Sequence, residues 1–189
     1  MQLWVGLGNP GANHALNRHN VGFMAVDAIA EVHGFEPWKK QFQGWAAAGR
    51  IGAQRILLLK PATYMNDSGR SVAEAMRFYK LDPAALTIFH DELDLAPFKV
   101  KVKTGGGAAG HNGLRSIDQH LGPDYARVRL GIGHPGHKDR VLGHVLGNYA
   151  KAEMDPLADM LGAVAAEAPW LAAGDAPRFM SEVALRLQD

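Results

Sequence analysis

Two side chains with the chemistry of a base and its orienting acid, His19 and Asp91, stand beside short apolar runs. His19 lies in the connection after residues 3–5, and Asp91 comes directly after residues 86–89. A carboxylate that accepts from one imidazole nitrogen fixes the ring tautomer and leaves the other nitrogen basic. Such a base needs something to deprotonate. The chain has no cysteine, and none of Ser68, Ser71, Ser116 and Ser181 sits in G-x-S-x-G at a strand-to-helix turn. Water is then the natural partner. Asn9, Asn66 and Asn112 fall on polar loops that can reach the same place. Neutral amides donate to a developing oxyanion or hold a water without competing as bases. Taken singly, each reads better as a turn residue; three of them, with His and Asp after strands, shift the balance.

Other chemistries fit less well. Gly6-Leu-Gly-Asn-Pro-Gly11 matches G-x-G-x-x-G after an apolar run. That motif holds pyrophosphate on free backbone N–H groups at a helix start, and Pro10 removes one of them. The helical repeat also begins about ten residues late, and no strand ending in Asp or Glu follows for the ribose. A metal site can be drawn from His134, His137 and His111 with Asp91, Glu92 and Asp94, but turn histidines beside Gly and Pro are commonly solvated. The expectation is no metal and no cofactor.

The elements that must position these groups follow from periodicity. Residues 3–5 read as a buried strand, and Val21, Ala25, Ala28, Ile29 and Val32 recur at helical spacing behind an Asn20 N-cap. Residues 44–51 and 54–59 form a hairpin turning at Gly52-Ala53. A helix runs to about Tyr79, with Ser71 and Glu74 at capping-box spacing. Residues 86–89 form a strand that ends at His90. Residues 98–103 alternate strictly, with Lys99, Lys101 and Lys103 on one face. After the Gly-rich loop 105–110, Leu114, Ile117 and Leu121 mark a helix, and residues 125–132 a strand with Arg127 and Arg129 on a common face. Residues 151–173 are helical, Pro169 kinking or ending the helix, and 179–187 form a last helix. The pattern is one α/β domain over residues 1–189: a twisted mixed β-sheet flanked by helices on both faces, the site at strand C-termini.

Net charge is +1, unevenly spread. Residues 97–140 carry 8 Lys/Arg against 3 Asp/Glu, and residues 141–189 carry 3 against 7. A basic middle suits an anionic partner. No apolar run reaches the roughly 18 residues of a membrane span, and the start lacks the pattern of a signal peptide. A cytoplasmic monomer is expected.

Six blocks taken together resemble the bacterial peptidyl-tRNA hydrolases. They are Val5-Gly-Leu-Gly-Asn-Pro-Gly11, Arg18-His-Asn-Val-Gly-Phe23, Lys60-Pro-Ala-Thr-Tyr-Met-Asn-Asp-Ser-Gly69, His90-Asp-Glu-Leu-Asp-Leu95, Gly105-Gly-Gly-Ala-Ala-Gly-His-Asn-Gly-Leu114 and Gly131-Ile-Gly-His-Pro-Gly136. The resemblance implies a metal-independent enzyme that cuts the ester between a peptide and the 3′-terminal ribose of tRNA. It implies His19 as general base and Asp91 as its support. Asn9 would distinguish an N-blocked aminoacyl group from a free one, Asn66 and Asn112 would hold substrate and water, and Tyr64 would line the cleft. Lys103 and Arg129 would meet the 5′-phosphate side of the tRNA, whose acceptor stem and 3′ end are bound. There are departures. His14 stands where the family usually has Tyr at the mouth of the site, Asn17 where Thr is common, Ala109 where Gly is common, and Phe98 where Gly often stands. A non-catalytic RNA-binding protein and a metal-dependent hydrolase are the competing readings. Gly143 and Gly147 interrupt residues 138–150, which raises a lid over the site as a hypothesis.

Overall fold

A computed structural model describes residues 1–188. Seven strands form one sheet: β1 (Gln2–Gly6), β2 (Lys39–Gln41), β3 (Gly44–Ile51), β4 (Gln54–Pro61), β5 (Leu86–Glu92), β6 (Val100–Thr104) and β7 (Ala126–Gly131). Their order across the sheet is β2-β3-β4-β1-β5-β7-β6. The central strands β4, β1, β5 and β7 are mutually parallel, while β2, β3 and β6 add antiparallel at the edges. Six α-helices accompany them among the described residues: α1 (Val21–Val32), α2 (Ser68–Tyr79), α3 (Asn112–Leu121), α4 (Val141–Val145), α5 (Met154–Ala172) and α6 (Ala176–Arg186).

Strand alternation sends neighbouring side chains into two cores. Trp4 packs with Val26 and Ile29 of α1, Val164 of α5 and Phe179 of α6. Leu3 and Val5 pack on the other face with Val72 and Met76 of α2 and Ile117 of α3. Helices therefore cover both faces, as the alternating pattern required.

Glycine sets the spacing at the centre. A Cβ on Gly6 would collide with the Gly22 carbonyl, and one on Gly22 with the Phe89 carbonyl. The first turn of α1 thus rests directly on the ends of β1 and β5, and that contact carries His19 up to Asp91. The G-x-G run serves backbone packing here. No helix begins at its end; the chain passes through 3-10 turns, Ala12–His14 and Arg18–Asn20, before α1.

Several local expectations are corrected. Ser71 does not cap α2, which starts at Ser68; its hydroxyl donates to the Phe42 carbonyl. Asn20 occupies the N-cap position of α1, but its side chain makes no cap bond and turns to Asn9 instead. Strand β5 runs on to Glu92, so Asp91 is a strand residue. Strand β6 begins at Val100, because Phe98 has φ +67 and breaks the extended run, leaving Lys99 outside it. Phe98 and Ala109 (φ +49) both occupy the left-handed region, which explains why Gly suits these positions. The strand β2 was invisible to patterning because all three of its residues are exposed. Pro169 lies inside α5 without ending it. Its missing N–H leaves the Ala165 carbonyl free, and that oxygen lies 2.6 Å from His33 Nε2.

Candidate functional site

Asp91 sits at the C-terminal end of β5, where parallel strands open their carboxyl ends to a ligand. It is buried and lies between two imidazoles. Its Oδ2 is 2.8 Å from His19 Nδ1, and its Oδ1 is 2.7 Å from His111 Nε2. The two rings are themselves 5.0 Å apart between centroids. His111 caps α3: its Nδ1 accepts from the Gly113 and Leu114 N–H groups, so that ring's proton belongs on Nε2, facing Asp91. Burial by itself raises the Asp91 carboxyl. Attraction to His111 first and then to His19, with the hydrogen bonds to both, outweighs that effect and holds the group well below the usual carboxylate range. An ionised Asp91 that accepts from His19 Nδ1 leaves His19 Nε2 as the open, basic nitrogen.

His90, on the opposite side of β5, is the companion case. Burial, followed by the nearness of His111, lowers it from 6.5 to about 3. Its Nδ1 lies 2.8 Å from the Asp91 carbonyl, and its Nε2 is buried without a partner. The ring is therefore neutral at physiological pH.

Three asparagines surround this centre differently. Asn9 is tied in on three sides. Its N–H donates to Asn20 Oδ1, its carbonyl accepts from Asn20 Nδ2, and its Oδ1 accepts from Met65 N–H at 2.7 Å. Only the Nδ2 amide of Asn9 lacks an intramolecular partner among the described residues. Asn112, the first residue of α3, is exposed and lines the cleft of about 320 Å³ that contains His19, Asp91 and His111. Asn66 is exposed on the 3-10 turn Met65–Asp67, beside the residue that Asn9 holds. Tyr64 precedes it and is 67% exposed.

His14 lies 2.7 Å, through Nδ1, from Asn17 Oδ1, and the Asn17 amide donates to Asn148 Oδ1. The two departures at positions 14 and 17 are thus partners. Lys103 and Arg129 line a smaller cavity that shares His90, Glu92, Ala108 and Ala109 with the cleft, together with Asp94 and Arg127. Arg127, expected on that face, is buried. Its guanidinium donates to the carbonyls of Gly106, Gly107 and Pro123 and to Asp118, so it shapes the Gly-rich loop. Residue patterning did not single out His111 as Asp91's second partner. Its place immediately before a helix was the available signal.

His19, Asp91 and His111 are also the one cluster of metal-ligand types among the described residues, with ligand atoms within 4.8 Å of one another. Those atoms are already paired as donor and acceptor. A cation would have to displace both N–H protons and break the His111 cap, so the donor set does not fit a resident metal. The turn histidines His134 and His137 instead bind backbone N–H groups locally.

A sequence model of the peptidyl-tRNA hydrolases matches residues 3–188. The chain belongs to the peptidyl-tRNA hydrolase family. It is accordingly a hydrolase acting on an ester bond. The peptidyl-tRNA hydrolase of Rhizorhabdus wittichii is 75% identical over 189 residues, covering all of both chains. That of Zymomonas mobilis is 65% identical, again over the whole of both. The crystal structure of the peptidyl-tRNA hydrolase from Acinetobacter baumannii superposes with a TM-score of 0.91 at 43% identity, covering 97% of this chain and 94% of that one. The mixed sheet with helices on both faces is the fold of this family. No helix of the described residues is long and apolar enough to cross a membrane.

Proposed function

We propose that His19 is the general base for hydrolysis of peptidyl-tRNA and that Asp91, ionised between His19 and His111, orients it. The observation that carries this reading is the clasp itself: two imidazole N–H groups donating to one buried carboxylate. In the proposed step a water gives its proton to His19 Nε2 as its oxygen attacks the ester carbonyl. The tetrahedral intermediate then collapses, and the departing ribose oxygen takes that proton from His19. The products are a peptide carboxylic acid, which gives its remaining proton to solvent and becomes the carboxylate, and a tRNA with a free terminal hydroxyl.

The asparagines supply the neutral donors. The unpaired Nδ2 of Asn9 suits a peptide carbonyl, which supports discrimination between N-blocked and free aminoacyl groups. Asn112, on the rim of the cleft at the start of α3, is placed to hold the water and steady the oxyanion. Asn66 and Tyr64 border the substrate's path, and His14 its mouth. Lys103 and Arg129 take the 5′-phosphate side of the acceptor stem, a contact that positions the RNA without reading its sequence. No step needs a metal. The protein acts as a cytoplasmic monomer over its single domain.

The test is hydrolysis of N-acetyl-aminoacyl-tRNA beside unblocked aminoacyl-tRNA, in EDTA. Release from the blocked substrate alone is expected. His19→Ala should keep the fold and lose roughly 10²–10⁴-fold in rate. A variant that retained half its activity would remove His19 from the role.

A further inference from the structure

A second groove of about 390 Å³ lies at the opposite edge of the sheet, between the β2–β3 hairpin and residues 62–63. Trp45, 40% exposed, forms part of its wall. The Lys40 ammonium lies 5.8 Å from the Trp45 ring centroid. Thr63 also lines it, and its hydroxyl is buried with no hydrogen-bond partner. None of these groups serves the centre at His19, and an unpartnered buried hydroxyl calls for an explanation.

The groove is joined to that centre by a short, anchored piece of chain. Ala62 N–H donates to the Gln43 carbonyl of the hairpin, and three residues on, Met65 N–H donates to Asn9 Oδ1. The hairpin turn is built from two successive left-handed residues, Phe42 and Gln43, both at φ 55. Phe42 is buried in the core with its carbonyl held by Ser71, which fixes the turn against α2.

Strand order says what approaches from this side. The ester to be cut lies at β1 and β5, in the middle of the sheet, and the cations Lys101, Lys103 and Arg129 stand on β6 and β7 to one side of it. A substrate whose RNA leaves toward β7 and β6 sends its peptide the other way, past Asn9 toward β4, β3 and β2. We propose that the groove at Trp45 and Thr63 is a subsite for the peptide part of the substrate, remote from the ester, with Trp45 packing on the chain and Thr63 hydrogen-bonding its backbone. The proposal rests on the foregoing reading of which edge meets the tRNA. Strand β3 lies two strand spacings from β1 and three from β5, roughly 10–14 Å, and an extended peptide advances about 3.3 Å per residue. The third or fourth residue from the ester is therefore the first to reach Trp45. An aromatic face and a hydroxyl recognise a backbone without selecting a sequence, which suits an enzyme whose peptides differ.

The experiment compares N-acetyl-aminoacyl-tRNA with N-acetyl-tetrapeptidyl-tRNA carrying the same C-terminal residue on the same tRNA. In Trp45→Ala, KM for the tetrapeptidyl substrate should rise about fivefold with kcat unchanged, the loss expected when one aromatic face is removed. KM for the single-residue substrate, and inhibition by deacylated tRNA, should stay within about twofold of wild type. Trp45→Phe should restore most of the loss, and Thr63→Val, of the same shape, should act on the longer substrate alone. Equal effects on both substrates, or none on either, would overturn the proposal. Weaker inhibition by deacylated tRNA would assign the groove to a nucleotide instead. Lys103→Ala separates the two readings: if it leaves KM unchanged for both substrates while Trp45→Ala stays selective, the tRNA edge is misassigned and the subsite stands.

Discussion

His111 does two things through two ring nitrogens, and the substitutions that separate them are predictable. Nδ1 caps α3 and Nε2 donates to Asp91. His111→Ala should lose both, costing about 1–2 kcal/mol for the cap and slowing hydrolysis as well. His111→Asn retains a good capping side chain, so denaturation should return near wild type while the rate stays depressed. A recovered rate would assign His111 to structure alone. His90 gives a pH prediction. In the folded chain it stays neutral down to about pH 3, whereas an ordinary histidine takes its proton near 6.5. Between those values the unfolded chain binds the extra proton, so the stability that neutral His90 contributes is complete above pH 6.5 and is lost as pH falls. Asp91 is displaced in the same direction, downward from its ordinary 3.8, so its contribution is complete above that value and is lost only as pH falls below it. Between pH 4 and 6.5, His90→Gln should flatten the fall of stability by about 1.4 kcal/mol per pH unit, read from urea midpoints.

Among the elements, the segment after the last strand is held unevenly. Its later part is strapped to the turn that carries His19. Arg18 N–H donates to the Gly147 carbonyl, Tyr149 N–H to the Leu16 carbonyl, and Asn17 to Asn148. The Arg18 side chain adds the His144 carbonyl and a 3.0 Å ion pair with Glu153, and it lies 5.6 Å from the Tyr149 ring centroid. The earlier part, Lys138, Val141 and Leu142, borders the cleft, and Leu142 is 69% exposed. The stretch proposed as a lid is this earlier one, hinging before Gly147. Hydrogen exchange should be fast at 138–143 and slow at 147–149, and tRNA should protect the first stretch. Uniform protection across 138–150 without tRNA would rule a lid out. Arg18→Ala should erase the contrast by releasing the strap, and should lower stability by about 1–3 kcal/mol for the charged hydrogen bonds removed.

At the scale of the whole molecule, the proposed division of the sheet into an RNA edge and a peptide edge predicts a salt signature. Lys103→Ala and Arg129→Ala should each weaken tRNA binding for all elongator tRNAs alike. Each should also reduce the slope of log K against log salt by about 0.7–0.9 for every phosphate the variant no longer neutralises. Trp45→Ala should leave that slope unchanged. Much of this layout was legible in the sequence, because it depends on local pattern. Apolar runs marked the buried strands, 3.6-residue spacing marked α1, α2 and α3, and the types and order of His19, Asp91 and the asparagines marked the candidate site. What failed to show depended on partners distant in the chain. An exposed edge strand such as β2 has no alternation to read. Ser71 and Asn20 looked like caps because capping is local chemistry, yet Phe42 and Asn9 claimed their side chains. Pro169 read as a kink or an end, yet the helix continues through it, and a histidine 136 residues earlier takes up the carbonyl it frees. The sequence by itself determined most of the elements and the family, and it named the proposed reacting groups, since these follow from residue type and spacing. Only the tertiary structure decided that Asp91 serves two histidines and that Arg127 shapes a loop. Burial and hydrogen-bond geometry settle those roles, and both arise from contacts between segments far apart in the chain.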